Sequence, residues 1–296
     1  MIRQDPRVYL LTGDLGWGVF DELLRNFPKQ CINVGIAEQN MIGIAAGLAL
    51  ELKKVFCYSI VPFITMRAYE QVRVDICSHN LDVTIIGVGG GFAYGMLGNT
   101  HYGIEDINVM RWLPNMQIFC PVDKIEITGG LEYIKKNSWP LYIRLNIWGE
   151  QNILDEYTHI DIVNWTPLYE KGQEVILFST GRIGATVQEV AKKLWENNIQ
   201  VSAYTIPLVK PLSDKIILDH IKESHFVFSI EEHSIYGGLW SAIAELIAES
   251  DTSPRFTRIG IEDEFFYTAW DQEYMKKTAR LDVDTIYSRI LEKIHD

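Results

Sequence analysis

The chain has 296 residues, 47% of them hydrophobic and 22% charged, and a formal net charge of −12. Its length suffices for one large or two medium domains with cores of their own, in the composition range of ordinary globular proteins. The acidic balance, with no Lys- or Arg-rich run, excludes a nucleic-acid partner. No run approaches the roughly 18 apolar residues of a spanning helix, and the opening MIRQDPRVYL lacks a signal-peptide core.

In chain order, buried-type apolar runs alternate with helical patterns. Strands are predicted over 8–12, 55–60, 83–88 (VTIIGV), 116–120 (stopped by Pro121) and 141–145. Between them lie helices over 38–52, 65–78, 104–112 and 125–136. The stretch INVGIAEQNMIGIAAGLAL, residues 32–50, reads as a strand end running into the first of these helices. After 149 the pattern lapses, and a second alternation follows: strand 174–179, helix 183–197, strand 200–205, helix 212–224, strand 226–230, helix 238–249, strand 256–261 and helix 284–294. This predicts an α/β protein of two parallel-sheet, three-layer domains, 1–150 and 171–296, joined by a linker over 151–170. Cys31, Cys57, Cys77 and Cys120 stand singly, without zinc-ligand or disulfide spacing, and read as buried, reduced thiols of a cytoplasmic protein.

Several residues could carry chemistry. Glu38 opens a helix otherwise built of Gly, Ala, Ile, Met and Leu. As a first-turn acid it suits the helix dipole. Gly43 and Gly47, with Ala45, Ala46 and Ala49, suggest a face where another backbone comes close, and a carboxylate buried there needs a ligand or a proton. In GVGGGFAYGMLGNTHYGIED (87–106) a strand end dissolves into a Gly-rich loop presenting His101. The loop wanders too far for a dinucleotide fingerprint, yet it follows the carboxyl end of a buried strand, where open parallel sheets bind ligands. Phe63 lies at another strand's carboxyl end. Arg144 in PLYIRLN is a cation within an apolar strand, so it reaches the sheet edge or meets an anion. EEHSIYGGLW (231–240) reads as a charged loop, with His233, before a capped helix.

Together VGIAEQNMIGIAAGLAL, RAYEQVRVDI, GNTHYGIEDINVMRWLPN and CPVD closely resemble the pyrimidine-binding domain of transketolase and 1-deoxy-D-xylulose 5-phosphate synthase. Residues 171–296 resemble the C-terminal domain of the same thiamine diphosphate enzymes. The resemblance implies that Glu38 shares a proton with N1′ of the cofactor's aminopyrimidine, which activates C2 of the thiazolium. It implies stacking by Phe63, a ring pocket lined by Arg67, and cofactor contacts from Asp14 and Leu15. His101 matches the THxxIE histidine that moves protons on substrate oxygen, and Arg144 resembles a residue that grips the sugar's terminal phosphate.

Two departures concern the substrate. Leu97 stands where transketolases carry an Asp that reads a hydroxyl, and Gly89 where they carry a phosphate-binding His. A third departure is the lack of any Gly-Asp-Gly…Asn motif for the Mg²⁺ that holds the diphosphate. The resemblance therefore implies the second subunit of a split transketolase. It would carry no metal ligands itself and would need a partner subunit that carries the diphosphate and Mg²⁺ domain. It would self-associate through the pyrimidine-binding domain in an α2β2 heterotetramer and act on sugar phosphates. The alternatives are the β subunit of a 2-oxoacid dehydrogenase E1 component, whose His motif has different neighbours, and a non-catalytic scaffolding subunit, for which Glu38 and His101 would be superfluous.

Overall fold

In the computed structural model, residues 1–147, 152–156, 158 and 160–296 are described. The elements are β1 (Val8–Thr12), α1 (Asp21–Asn26), β2 (Cys31–Asn33), α2 (Glu38–Leu50) and β3 (Lys54–Ile60), followed by α3 (Tyr69–Gln71) between two π-helical turns, Phe63–Arg67 and Val72–Cys77. Next come β4 (Val83–Val88), two 3₁₀ turns (Gly95–Leu97 and Asn99–His101), α4 (Asp106–Arg111), β5 (Gln117–Phe119), α5 (Lys124–Lys136) and β6 (Leu141–Leu145). The remainder comprises β7 (Thr166–Glu170), β8 (Val175–Ser179), α6 (Gly184–Glu196), β9 (Val201–Thr205), β10 (Leu208–Lys210), α7 (Asp214–Ile221), β11 (Phe226–Ser234), α8 (Leu239–Ala248), β12 (Arg255–Ile261), α9 (Gln272–Thr278) and α10 (Val283–His295).

Two mostly parallel sheets result, ordered β10-β5-β6-β4-β3-β1-β2 and β12-β11-β8-β9-β7. Their central strands are apolar on both faces because helices cover both. In β8, Ile176 and Phe178 pack with α7 and α8, whereas Val175 and Leu177 face α6 and α10. That two-sided burial explains why these strands read as continuous apolar runs. One apolar cluster runs from Val55, Cys57 and Ile85 through Ile118 and Val209 to Phe178 and Leu239, so the two sheets share a core.

The structure departs from the sequence reading at the edges. Residues 166–170, within the expected linker, form β7, antiparallel to β9. Strand β10 comes from the second half of the chain yet pairs antiparallel with β5 of the first sheet, Leu208 opposite Phe119. The sheets are thus parallel inside and antiparallel at one edge each. The expected helix over 65–78 begins at Phe63, and most of it is π-helical. Strand β11 continues to Ser234, so Glu231, Glu232 and His233 are buried strand residues rather than a loop. All four cysteines are buried and unpaired. Among the described residues, no helix is long and apolar enough to cross a membrane.

Candidate active site

The carboxyl edge of the first sheet gathers most of the candidate residues. Helix α2 starts where the chain leaves β2, which puts Glu38 in its first turn with 1% exposure. Two donors hold the carboxylate there. Ser59 of β3 donates through Oγ to Oε1 at 2.8 Å, and Arg67 donates through Nη1 to Oε2 at 2.7 Å. Arg67 also lies over the Phe63 ring, its Cζ 4.2 Å from the centroid. The π-helical turn places Phe63 and Arg67 on one side, so a single guanidinium bridges the aromatic face and the buried acid.

His101 meets the same ring. Its imidazole is edge-on to Phe63, centroids 5.1 Å apart, and 6.5 Å from Tyr94. Thr100 Oγ1 lies 2.9 Å from Nδ1. Partial burial lowers the His101 pKa, which favours the neutral ring, able both to donate and to accept a proton. Glu38, Phe63, Arg67 and His101 therefore form one contiguous group.

The other expected residues stand apart from it. Asp14, in left-handed backbone after β1, exchanges hydrogen bonds with Asn33: its N–H donates to Oδ1 (3.0 Å) and its Oδ1 accepts from Nδ2 (2.8 Å). Asp14 and Leu15 share the sheet's carboxyl edge, but no hydrogen bond ties Asp14 to Glu38 or His101 among the described residues. Leu97 closes the 3₁₀ turn before His101 and is 54% exposed. Gly89 has φ +90°, and a Cβ there would collide with the Tyr94 ring, so backbone and neighbour both exclude a side chain.

Arg144, expected to grip a phosphate, is 6% exposed and held by buried partners. Its Nε donates to Asp106 Oδ2 at 2.9 Å, and its Nη2 donates to the carbonyls of Gly103 (2.7 Å) and Glu232 (3.0 Å). Burial alone would lower its pKa, but Asp106 and other acidic neighbours raise it instead, so it is a fixed structural cation. Tyr142 donates to the same Asp106 carboxylate at 2.6 Å. Glu232 Oε1 accepts from the Phe92 amide at 2.7 Å, and Gly91 leaves room for that carboxylate. This buried network binds the Gly-rich loop and the His101 loop to the second domain. The tail of β11 is structural in the same way. Glu231 accepts the amides of Leu239 and Trp240, both at 2.7 Å, capping α8. Burial pushes His233 down to about 4.

The α2 small residues divide between two faces. Ala45, Ala46 and Ala49 face the core, while Gly43 and Gly47 look outward, where an added Cβ would meet nothing within 4 Å. They do not form the single face expected from the sequence. Ser59, Tyr94 and Asp106 join the site and its supporting network without having been expected there. Ser59 alone had a signal, as the buried hydroxyl in the apolar strand KVFCYSI.

Comparison with known proteins decides the family. Residues 1–146 match the transketolase pyrimidine binding domain, and residues 166–286 match the transketolase C-terminal domain. An apulose-4-phosphate transketolase subunit of Actinobacillus succinogenes is 37% identical, over 89% of this chain and 84% of its own. The chain belongs to the transketolase family. A further relative is the 6-deoxy-6-sulfo-D-fructose transketolase subunit SqwH of a Clostridium species, 31% identical over 89% of this chain and 81% of that one. Among solved structures, a split gene transketolase described as an inactive beta4 tetramer is 28% identical, with a TM-score of 0.85 over 98% of this chain and 92% of that one. The chain is thus a transketolase-like subunit of the split type, and the family implies thiamine diphosphate as cofactor. The residues fit that group: a buried carboxylate, already supplied with two donors, stands beside an aromatic ring. Among the described residues no three potential ligands converge on a metal position.

Proposed function

We propose that this chain is the pyrimidine-binding subunit of a thiamine diphosphate-dependent transketolase that moves a two-carbon ketol unit between sugars or their phosphates. The observation that carries the reading is the chain of contacts from Glu38 to His101: Arg67 bonds the Glu38 carboxylate and lies over the Phe63 ring that His101 meets. When bound, the cofactor supplies a carbon nucleophile for the ketose carbonyl. Glu38 would hold the aminopyrimidine by sharing a proton with its ring nitrogen. Its burial makes that proton-sharing stronger than it would be in water. Phe63 offers a stacking face, and Arg67 lines the same pocket. Ser59 fixes the direction of one oxygen of the Glu38 carboxylate. His101, neutral at pH 7, gives a proton to a substrate oxygen and takes it back. Asp14 and Leu15 remain candidate cofactor contacts at the sheet edge.

The Mg²⁺ and diphosphate ligands are assigned to a partner subunit. Self-association would use the open Gly43–Gly47 face of α2, giving α2β2. The beta4 tetramer of the split-gene relative supports self-association of this kind of chain. A cytoplasmic location accords with four buried, unpaired thiols. Glu38→Gln tests the reading: in the complex with the partner, C2 hydrogen–deuterium exchange of bound thiamine diphosphate should slow by about 10²–10⁴. Wild-type exchange in that variant would remove Glu38 from the mechanism.

A further inference from the structure

Tyr94 stands beside His101 with a hydroxyl that the fold does not use. Its ring is edge-on to the imidazole, centroids 6.5 Å apart, within the roughly 4.5–7 Å of paired aromatic rings. One edge of the ring lies against Gly89, so close that a Cβ there would come within 2.2 Å of it. The room left by the missing side chain at 89 is thus taken by Tyr94. The backbone on either side is fixed. Gly91 and Gly103 exchange hydrogen bonds at 2.7 and 2.9 Å, the Gly95 amide donates to the Phe92 carbonyl at 2.7 Å, and the Leu97 amide donates to the Tyr94 carbonyl at 2.8 Å. The ring is therefore held in place, half-buried, by contacts that do not involve its hydroxyl.

A tyrosine that buries its ring usually finds a partner for its hydroxyl. Tyr102 and Tyr142, the other tyrosines of this network, both do: Tyr102 donates to the Thr268 carbonyl and Tyr142 to Asp106, each at 2.6 Å. Among the described residues nothing bonds the Tyr94 hydroxyl, and its oxygen is not sealed from solvent, so a ligand can reach it. Gly89 and Leu97 bring no polar side chain to this loop, and Thr100 is taken up by His101 Nδ1. Tyr94 is left as the loop's free hydroxyl. Burial raises its pKa, so the phenol stays protonated at neutral pH and offers one donor and one acceptor without charge. A sugar hydroxyl matches both. A phosphate could use only the donor, beside a neutral imidazole and with Arg144 held by Asp106, so its desolvation would go uncompensated.

We propose that Tyr94 is a specificity-determining residue of the site, whose hydroxyl bonds an uncharged hydroxyl of the acceptor sugar beside the oxygen on which His101 acts. The inference rests on the transketolase reading for the word acceptor, and the experiments separate the two.

Tyr94→Phe removes only the hydroxyl and keeps the ring edge-on to His101. Because that hydroxyl has no partner in the fold, the isolated variant should melt within about 2 °C of the wild type. A larger fall would mean that the fold uses it, and would overturn the proposal. In the complex with the partner and thiamine diphosphate, a panel of ketoses and ketose phosphates serves as donors. The wild type should prefer D-glyceraldehyde to propanal as acceptor, and Tyr94→Phe should cut that ratio of kcat/KM about two- to tenfold, the worth of one neutral hydrogen bond. The loss should fall on KM, because the bond is made before the reaction. Equal losses with both acceptors, a loss confined to kcat, or an unchanged ratio would overturn the contact, since the ring would then act only through His101 or not at all. Binding is read without a donor from 3-fluorotyrosine incorporated throughout this chain in the same complex, the Tyr94 ¹⁹F signal being assigned by its absence in Tyr94→Phe. D-Glyceraldehyde should move that signal, whereas propanal and inorganic phosphate should not. No movement with glyceraldehyde, or movement with either of the others, would overturn the proposal. Movement with glyceraldehyde but no transfer from any donor would instead defeat the transketolase reading and leave the Tyr94 contact standing.

Discussion

Replacing Arg144 separates a structural cation from a phosphate-binding one. Arg144→Met keeps the length of the side chain but removes every donor. Asp106, fully buried, then holds a charge supported only by the Tyr142 hydroxyl and helix α4, and the carbonyls of Gly103 and Glu232 lose a donor. Removing one partner of a buried ion pair costs about 3–5 kcal/mol. Each abandoned carbonyl adds about 1 kcal/mol, at the lower end for a group that can relax. The total of about 5–7 kcal/mol, at roughly 2–4 °C per kcal/mol for a chain of this size, lowers Tm by about 10–28 °C. Differential scanning calorimetry of the isolated chain measures this with no substrate present. Adding Asp106→Asn removes the orphaned charge and should restore about half the loss. A free, phosphate-gripping arginine predicts no such loss. Arg144→Met melting within about 3 °C of the wild type would refute the network.

Gly43→Leu should leave the monomer folded, because nothing lies within 4 Å of the added Cβ, yet abolish self-association. Unchanged mass in light scattering would reject α2 as the contact. Glu126 has its pKa raised from 4.5 to about 8, chiefly by burial, so its favourable contribution is complete below 4.5 and disappears as pH rises through 8. Glu126→Gln keeps the acceptor for the Val122 amide and should flatten the decline in urea stability between pH 5 and 8; a decline as steep as in the wild type would place its source elsewhere. Leu97→Asp should raise the preference for xylulose 5-phosphate over a deoxy analogue by about tenfold or more, read as a ratio of kcat/KM, and an unchanged ratio would remove residue 97 from substrate selection.

Legibility followed the range of the interactions. VTIIGV and VILFS were plain as strands because burial on both faces leaves no charged position in them and only one small hydroxyl each. The three-residue β2 and β10 carry too few positions for any pattern, and β10 exists only because β5 offers an edge. The tail of β11 was missed because EEH is polar in composition; its carboxylates are buried by accepting amides of α8 and of the Gly-rich loop, neither visible locally. Glu38, His101 and Phe63 were singled out by their positions at helix and strand ends, and the resemblance supplied their expected roles. The buried counter-charge of Arg144, Asp106, was not foreseen because it is 38 residues away in sequence. The two faces of α2, by contrast, could have been told apart: at 3.6 residues per turn, 43 and 47 point opposite to 45 and 49.

Strand β10 imposes an order on synthesis. As the chain leaves the ribosome, β5 emerges early, but the segment that covers its edge comes only after β8, α6 and β9. Throughout that interval Gln117–Phe119 presents unpaired amides and carbonyls beside apolar side chains, a template for pairing with other nascent chains. Lys210 then arrives with β10 and donates to the carbonyls of Arg111, the last residue of α4, and of Leu113 just beyond it, fastening the strand as it docks. The first sheet is therefore finished by the second half of the chain. A gene cut between the halves would yield an amino-terminal fragment with a sticky edge, rather than a free-standing domain.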